Sequence, residues 1–112
     1  MSKQLGGLNA WLIQRASAVY IAVFILCWGF ATLLWDYAGS YRQWHALWSS
    51  PFVNLATLLF FVALLLHAWV GIRDVILDYI KPFAIRLSAL MLLATALIIC
   101  GLWVLRVLFN AL

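Results

Sequence analysis

Charge is what this sequence has least of. Only 9% of its 112 residues are Asp, Glu, Lys or Arg, where a soluble domain carries about a quarter. Hydrophobic side chains make up 69%, against about half in an ordinary globular protein. A small water-soluble fold has too much surface to cover with so few polar groups. A soluble enzyme is therefore excluded, and the bilayer is the solvent that fits. Cysteine is scarce as well. Cys27 and Cys100 stand alone inside apolar stretches, match no zinc or iron–sulfur spacing, and read as small hydrophobes. The basic residues form no run of the kind that grips nucleic acid. No repeat, low-complexity tract or flexible linker divides the chain, so it reads as one unit, residues 1–112. No small-residue cleavage site follows the opening Met1-Ser2-Lys3, and an Arg- and Ser-rich amphipathic leader is missing. A bacterial inner membrane is thus the expected location. About six residues follow Arg106, too few for a soluble domain.

What the sequence does have is length without charge. Ala16–Trp35, Phe52–Ile72 and Leu87–Leu105 each run 19–21 residues, and about 20 helical residues cross a hydrocarbon core. Three such runs cannot close a β-barrel, so helix is the form that satisfies their backbone in lipid. The expected fold is all-α, with three transmembrane helices over about 12–36, 51–79 and 84–106. Lys3 and Arg15 flank the start of the first span, and Arg73, Lys81 and Arg86 lie around the junction of the second and third. Arg42 and Arg106 stand alone on the other side. Five basic residues against two place the N-terminus in the cytoplasm and the C-terminus in the periplasm. The net charge of +4 is then a topology signal.

The connections carry their own signatures. Asp36 to Ser50 is an amphipathic outer loop, with Tyr37, Tyr41, Trp44 and Trp48 suited to the headgroup level around Gly39 and Ser40. Ser50-Pro51 predicts a helix N-cap followed by proline at the first helical position. Lys81-Pro82 ends the second span, since the residue before proline avoids the helical region.

One segment carries polar chemistry into this apolar chain, from His67 to Pro82. At about 100° per residue, His67, Gly71, Asp74 and Asp78 fall within roughly 60° on one helix face. The stripe runs about 16 Å from inside the membrane to its edge, with the histidine at the deep end. An ionisable group in a span marks a functional site by default. Three readings of His67 stay open: a neutral imidazole tying two helices together, a proton relay, and axial ligation of a haem iron. A relay would need carboxylates through the other spans, and they have none. For haem, Gly71 removes a side chain one turn along, where a flat macrocycle would press. His45 lies in the outer loop, so a second haem ligand would have to come from another chain. Arg15 reads either as a snorkelling topology residue or as a guanidinium toward a haem propionate or quinone carbonyl. Asp78-Tyr79 reads either as an ordinary helix end in the aromatic belt or as a phenol donor to a quinone with a supporting carboxylate, which would orient Arg15. Arg73 and Asp74 point about 100° apart and are not expected to pair.

Arg15-Ala-Ser-Ala18, His67-Ala-Trp-Val-Gly71 and Asp78-Tyr-Ile-Lys-Pro82 together resemble the hydrophobic membrane anchor of bacterial succinate dehydrogenase, the smaller of its two anchors. The similarity runs almost end to end, including the twelve-residue step from His67 to Tyr79. It departs around Gly6–Trp11, a stretch expected to lie outside the membrane. The resemblance implies half of a heterodimeric helix bundle, with a b-type haem held between His67 and a histidine of the larger cytochrome b-type anchor. It implies that Arg15 sits near the haem propionates and quinone pocket. Tyr79 would hydrogen-bond ubiquinone, with Asp78 as its acidic neighbour. Partners would be that larger anchor, the iron–sulfur subunit and the flavoprotein subunit, with electrons passing from succinate to quinone in the tricarboxylic acid cycle and respiratory chain. Succinate oxidation would take place on the flavoprotein, so no residue here is expected to be catalytic. A related fumarate reductase anchor and a cofactor-free structural membrane protein are the alternatives.

Overall fold

A computed structural model of the chain describes residues 2–34 and 40–112, with side chains from Gly7 onward. All regular structure among them is helical: α1 Ser2–Leu34, α2 Tyr41–Ser49, α3 Pro51–Tyr79 and α4 Phe83–Ala111. Three of these helices, α1, α3 and α4, are long and apolar enough to cross a membrane. The expected end of the first span, with Asp36, Tyr37 and Gly39, lies outside the described residues.

Local chemistry sets the boundaries. Ser50 is the N-cap of α3 with Pro51 at its first position. The serine hydroxyl makes no capping bond, and the cap's carbonyl accepts from Asn54 N–H at 2.9 Å instead. At the far end, α3 stops at Tyr79. Ile80, Lys81 and Pro82 form an extended link, and Arg86 Nε donates to the Ile80 carbonyl at 3.0 Å. That bond occupies one of the carbonyls a helix C-terminus leaves unpaired. The helix α1 starts earlier than the expected span, and Gly7–Trp11 are helical and continuous with it. No proline interrupts this stretch. Its 33 residues extend about 50 Å, longer than the roughly 30 Å hydrocarbon core, so one end projects beyond the core.

The helix α3 is the centre of the arrangement. It packs against α1 on one side and α4 on the other, and α1 and α4 do not meet among the described residues. The amphipathic outer segment is itself a helix. α2 begins at Ser40, whose side chain accepts from Gln43 N–H, and packs against α3 and α4. An aromatic series ties the pieces together: Phe24 stacks on Phe60 with centroids 4.4 Å apart, and Trp28 meets Trp48 of α2 at 5.2 Å. Asn54 is the polar staple. It is 6% exposed, and its Nδ2 donates to the carbonyls of Trp48 at 3.0 Å and Leu108 at 2.8 Å.

Little else is buried. The accessible surface is 8631 Å², against about 6200 Å² for a compact soluble protein of this mass. Most of the excess is apolar side chain that lipid or another protein must cover. Cys27 and Cys100 are free and lie on this outer surface, among it rather than in a cluster. We expect Asn54→Leu to lower the thermal unfolding midpoint in mild detergent, with a loss near 1 kcal/mol, the scale of an interhelical hydrogen bond in a membrane. An unchanged midpoint would show that the staple is energetically idle.

Candidate functional site

His67 lies about three turns before the end of α3 and faces α1. Its Nδ1 is 3.2 Å from Ser17 Oγ. Ser17 is 6% exposed, and its hydroxyl donates to the Gln14 carbonyl at 3.1 Å. One turn along, a Cβ on Gly71 would sit 3.5 Å from Gln14 Nε2. The deep half of the predicted stripe therefore faces α1, and the room beside Gly71 holds the Gln14 amide. Gln14 Oε1 and Arg73 Nε are buried there without hydrogen-bond partners, the condition that costs most in a medium of low polarity.

The outer half of the stripe is open. Asp74 and Asp78 are exposed, and Tyr79, the last residue of α3, is 80% exposed. Arg73 and Asp74 do pair, at 3.2 Å between Nη2 and Oδ1, contrary to the expectation from their helical angles. A guanidinium on a long flexible stem reaches around the helix, so the angle between Cα–Cβ bonds does not decide the contact. Both side chains are solvent-accessible at 33% and 57%, and such a pair contributes little.

Arg15 also sits differently from the expectation. Its neighbours Gln14 and Ser17 face Gly71 and His67, so Arg15 is at the depth of His67–Gly71 and about 10 Å along the axis from Asp78. It makes no ion pair with Asp78. Its guanidinium lies over the Trp11 ring, 5.6 Å from the centroid, a cation–π contact. Depth along α1 is counted from a helix that begins at Ser2, and sequence position relative to the charge-free run does not report it.

Within the spans described, the one imidazole is that of His67. No group of three or more His, Cys, Asp or Glu comes together among the described residues, and His45 is on α2, beside Tyr41. A closed zinc-type site does not fit this donor set. One axial position of a haem does fit it, because that role asks for a single imidazole with one nitrogen unused. Sequence reasoning missed Gln14, Ser17 as a partner of His67, and Asn54. A signal existed for each: an intramembrane polar side chain has to bond across a helix boundary or to its own helix, and Gln14 and Ser17 share one α1 face at a three-residue step.

A row of long apolar helices, with one half-buried imidazole on the central helix and a carboxylate–phenol pair at that helix's end, defines a small multi-span membrane protein. The sequence matches the succinate dehydrogenase/fumarate reductase transmembrane subunit family over residues 2–103. It is also 33% identical over 108 residues to a protein of Coxiella burnetii described as the succinate dehydrogenase hydrophobic membrane anchor subunit, covering 94% of this chain and 90% of that one. The chain belongs to the succinate dehydrogenase/fumarate reductase transmembrane subunit family, as a membrane anchor.

Gly71 offers a direct test of the α1–α3 contact. A Cβ would meet Gln14 at ordinary van der Waals distance, so Gly71→Ala should change stability by less than about 1 kcal/mol. Gly71→Leu should separate α1 from α3 and lower the unfolding midpoint in detergent clearly. Equal behaviour of the two variants would show that this face is not packed as described.

Proposed function

We propose that this chain anchors the catalytic part of a succinate:quinone oxidoreductase in a bacterial inner membrane and supplies His67 as one axial ligand of a b-type haem. The observation that carries the reading is the imidazole of His67, set within an apolar helix and bonded to protein through Nδ1 alone. Its other nitrogen is available, and metal-bound histidines characteristically use one nitrogen for the metal and the other for a hydrogen bond. The haem when bound would supply a one-electron redox centre. Its second ligand would come from a larger cytochrome b-type anchor, the two anchors forming one helix bundle that also covers the apolar surface left open here. An iron–sulfur and a flavoprotein subunit would complete the complex, with succinate oxidised on the flavoprotein.

The orientation follows from the charges. Antiparallel packing of α1, α3 and α4 brings the start of α1 and the α3–α4 link to one end, the end whose sequence carries Lys3, Lys81 and Arg86. That end is cytoplasmic and the C-terminus periplasmic. Tyr79 and Asp78 then lie at the cytoplasmic boundary, where the ubiquinone headgroup meets water while its tail stays in lipid. The Tyr79 phenol donates a hydrogen bond to a quinone oxygen, and the Asp78 carboxylate stands beside the route by which protons reach it. Arg15, at the depth of His67, would offer positive charge to a haem propionate. Gly71 keeps the face beside His67 flat, with the Gln14 amide over it.

A cofactor-free reading has one observation in its favour. The Ser17–His67 contact ties α1 to α3, which interhelical glue would also do. A visible spectrum separates the two. In the assembled complex, His67→Ala should remove or severely weaken the b-type absorption bands; bands of ordinary bis-imidazole form in that variant would exclude His67 as ligand. For the quinone site, Tyr79→Phe should slow quinone reduction about 2- to 10-fold, the worth of one neutral hydrogen bond. Succinate oxidation with a dye acceptor should be preserved, and a parallel loss of both activities would sink the quinone assignment.

A further inference from the structure

We infer that Ser17 is a positioning residue for His67: its hydroxyl accepts a hydrogen bond from His67 Nδ1–H and so holds the imidazole in the tautomer that leaves Nε2 unprotonated. This rests on the haem reading for its consequence, but the hydrogen-bond assignment itself does not.

The direction of the bond comes from counting hydrogens. A serine hydroxyl has one proton to give and lone pairs to receive. Ser17 Oγ has two polar neighbours, the Gln14 carbonyl at 3.1 Å and His67 Nδ1 at 3.2 Å. The carbonyl can only accept. If the hydroxyl proton went to Nδ1, the carbonyl and hydroxyl oxygens would face each other at 3.1 Å as two acceptors, in a contact where Ser17 itself is buried. With the proton on the carbonyl side, both contacts are bonds: Nδ1–H to Oγ, and Oγ–H to the Gln14 oxygen. The relay satisfies all three groups, and a buried polar network is stable when each member is satisfied. Through the Ser17 hydroxyl the ring is also linked to the α1 backbone at the Gln14 carbonyl, so its plane is tied to a rigid element of the α1–α3 pair.

Two consequences follow. The ring presents a lone pair at Nε2, the form a metal needs. The Nδ1–H bond to an oxygen acceptor raises the electron density of the imidazole, which favours the oxidised state of an iron it ligates. Removing the acceptor should therefore move the haem midpoint potential upward. A residue that merely filled space would move stability and leave the potential alone.

The experiment has two arms. In the first, the full chain labelled with ¹⁵N-histidine is studied in lipid bilayers by solid-state NMR, with His45→Gln used to assign the signals. The His67 ring should show a protonated Nδ1 and an unprotonated Nε2; the reverse pattern overturns the inference, whatever becomes of the haem. In the second, potentiometric titration of the assembled complex compares Ser17→Ala with Ser17→Thr. The alanine variant should shift the potential positively, and threonine, which keeps the hydroxyl, should restore it. An unchanged potential in Ser17→Ala overturns the positioning role. Failure of the haem reading is seen separately, as b-type bands that survive in His67→Ala, and the ¹⁵N result stands apart from it.

Discussion

Hydrocarbon offers a polar side chain no partner, so the polar groups inside a span that are satisfied find their partners in protein. Most of the hydroxyls solve the problem within their own helix. Thr32, Thr57, Ser88 and Thr95 donate to carbonyls three or four residues back, and so link nothing. A few groups reach across, and they set the architecture. Tyr20 Oη donates from α1 to the Ala56 carbonyl of α3 at 2.9 Å, Asn54 joins α3 to α2 and α4, and Ser17 meets His67. Ser17 does both, bonding its own helix and its neighbour at once.

Apolar packing alone would not arrange these helices, since lipid tails are as apolar as leucine. Close approach and aromatic contact add what hydrophobicity does not. A Cβ on Gly101 of α4 would lie 3.1 Å from Leu65 Cδ1 of α3, tighter than side chains ordinarily tolerate, so glycine lets these two helices meet. On the other side, Tyr20, Phe24 and Trp28 recur at four-residue steps along α1 and stack in series, with Phe60 and Trp48 against them. The result is a row with α3 in the middle. A row of this kind leaves two faces uncovered, which suits a subunit of a larger membrane assembly better than a protein acting alone.

Family membership and the site geometry bear on function at different depths. The family establishes a membrane anchor of the succinate dehydrogenase/fumarate reductase kind. The proposed haem and quinone roles stand on particular side chains. His67 is half-buried and bonded on one nitrogen, while Tyr79 and Asp78 are exposed at the end of the same helix. Exposure separates these positions along α3: a half-buried imidazole within the span, and an exposed carboxylate and phenol at the helix end.

Composition and run length were enough for the helices, because lipid leaves the backbone no alternative and three charge-free runs of about 20 residues have one form there. The Pro51 and Pro82 boundaries were legible for a similar reason: proline's geometry acts on its immediate neighbours. The 3.6-residue period likewise placed His67, Gly71, Asp74 and Asp78 on one face. Which neighbour that face meets is another kind of fact. Gln14 against Gly71, Ser17 against His67, Asn54 against Leu108 and the depth of Arg15 all depend on how helices far apart in sequence slide and rotate against each other. Long side chains escape the period as well, as Arg73 does in reaching Asp74. Local sequence decides conformation along one axis; the offset between two axes is settled by the packing of both at once, and only the assembled helices contain it.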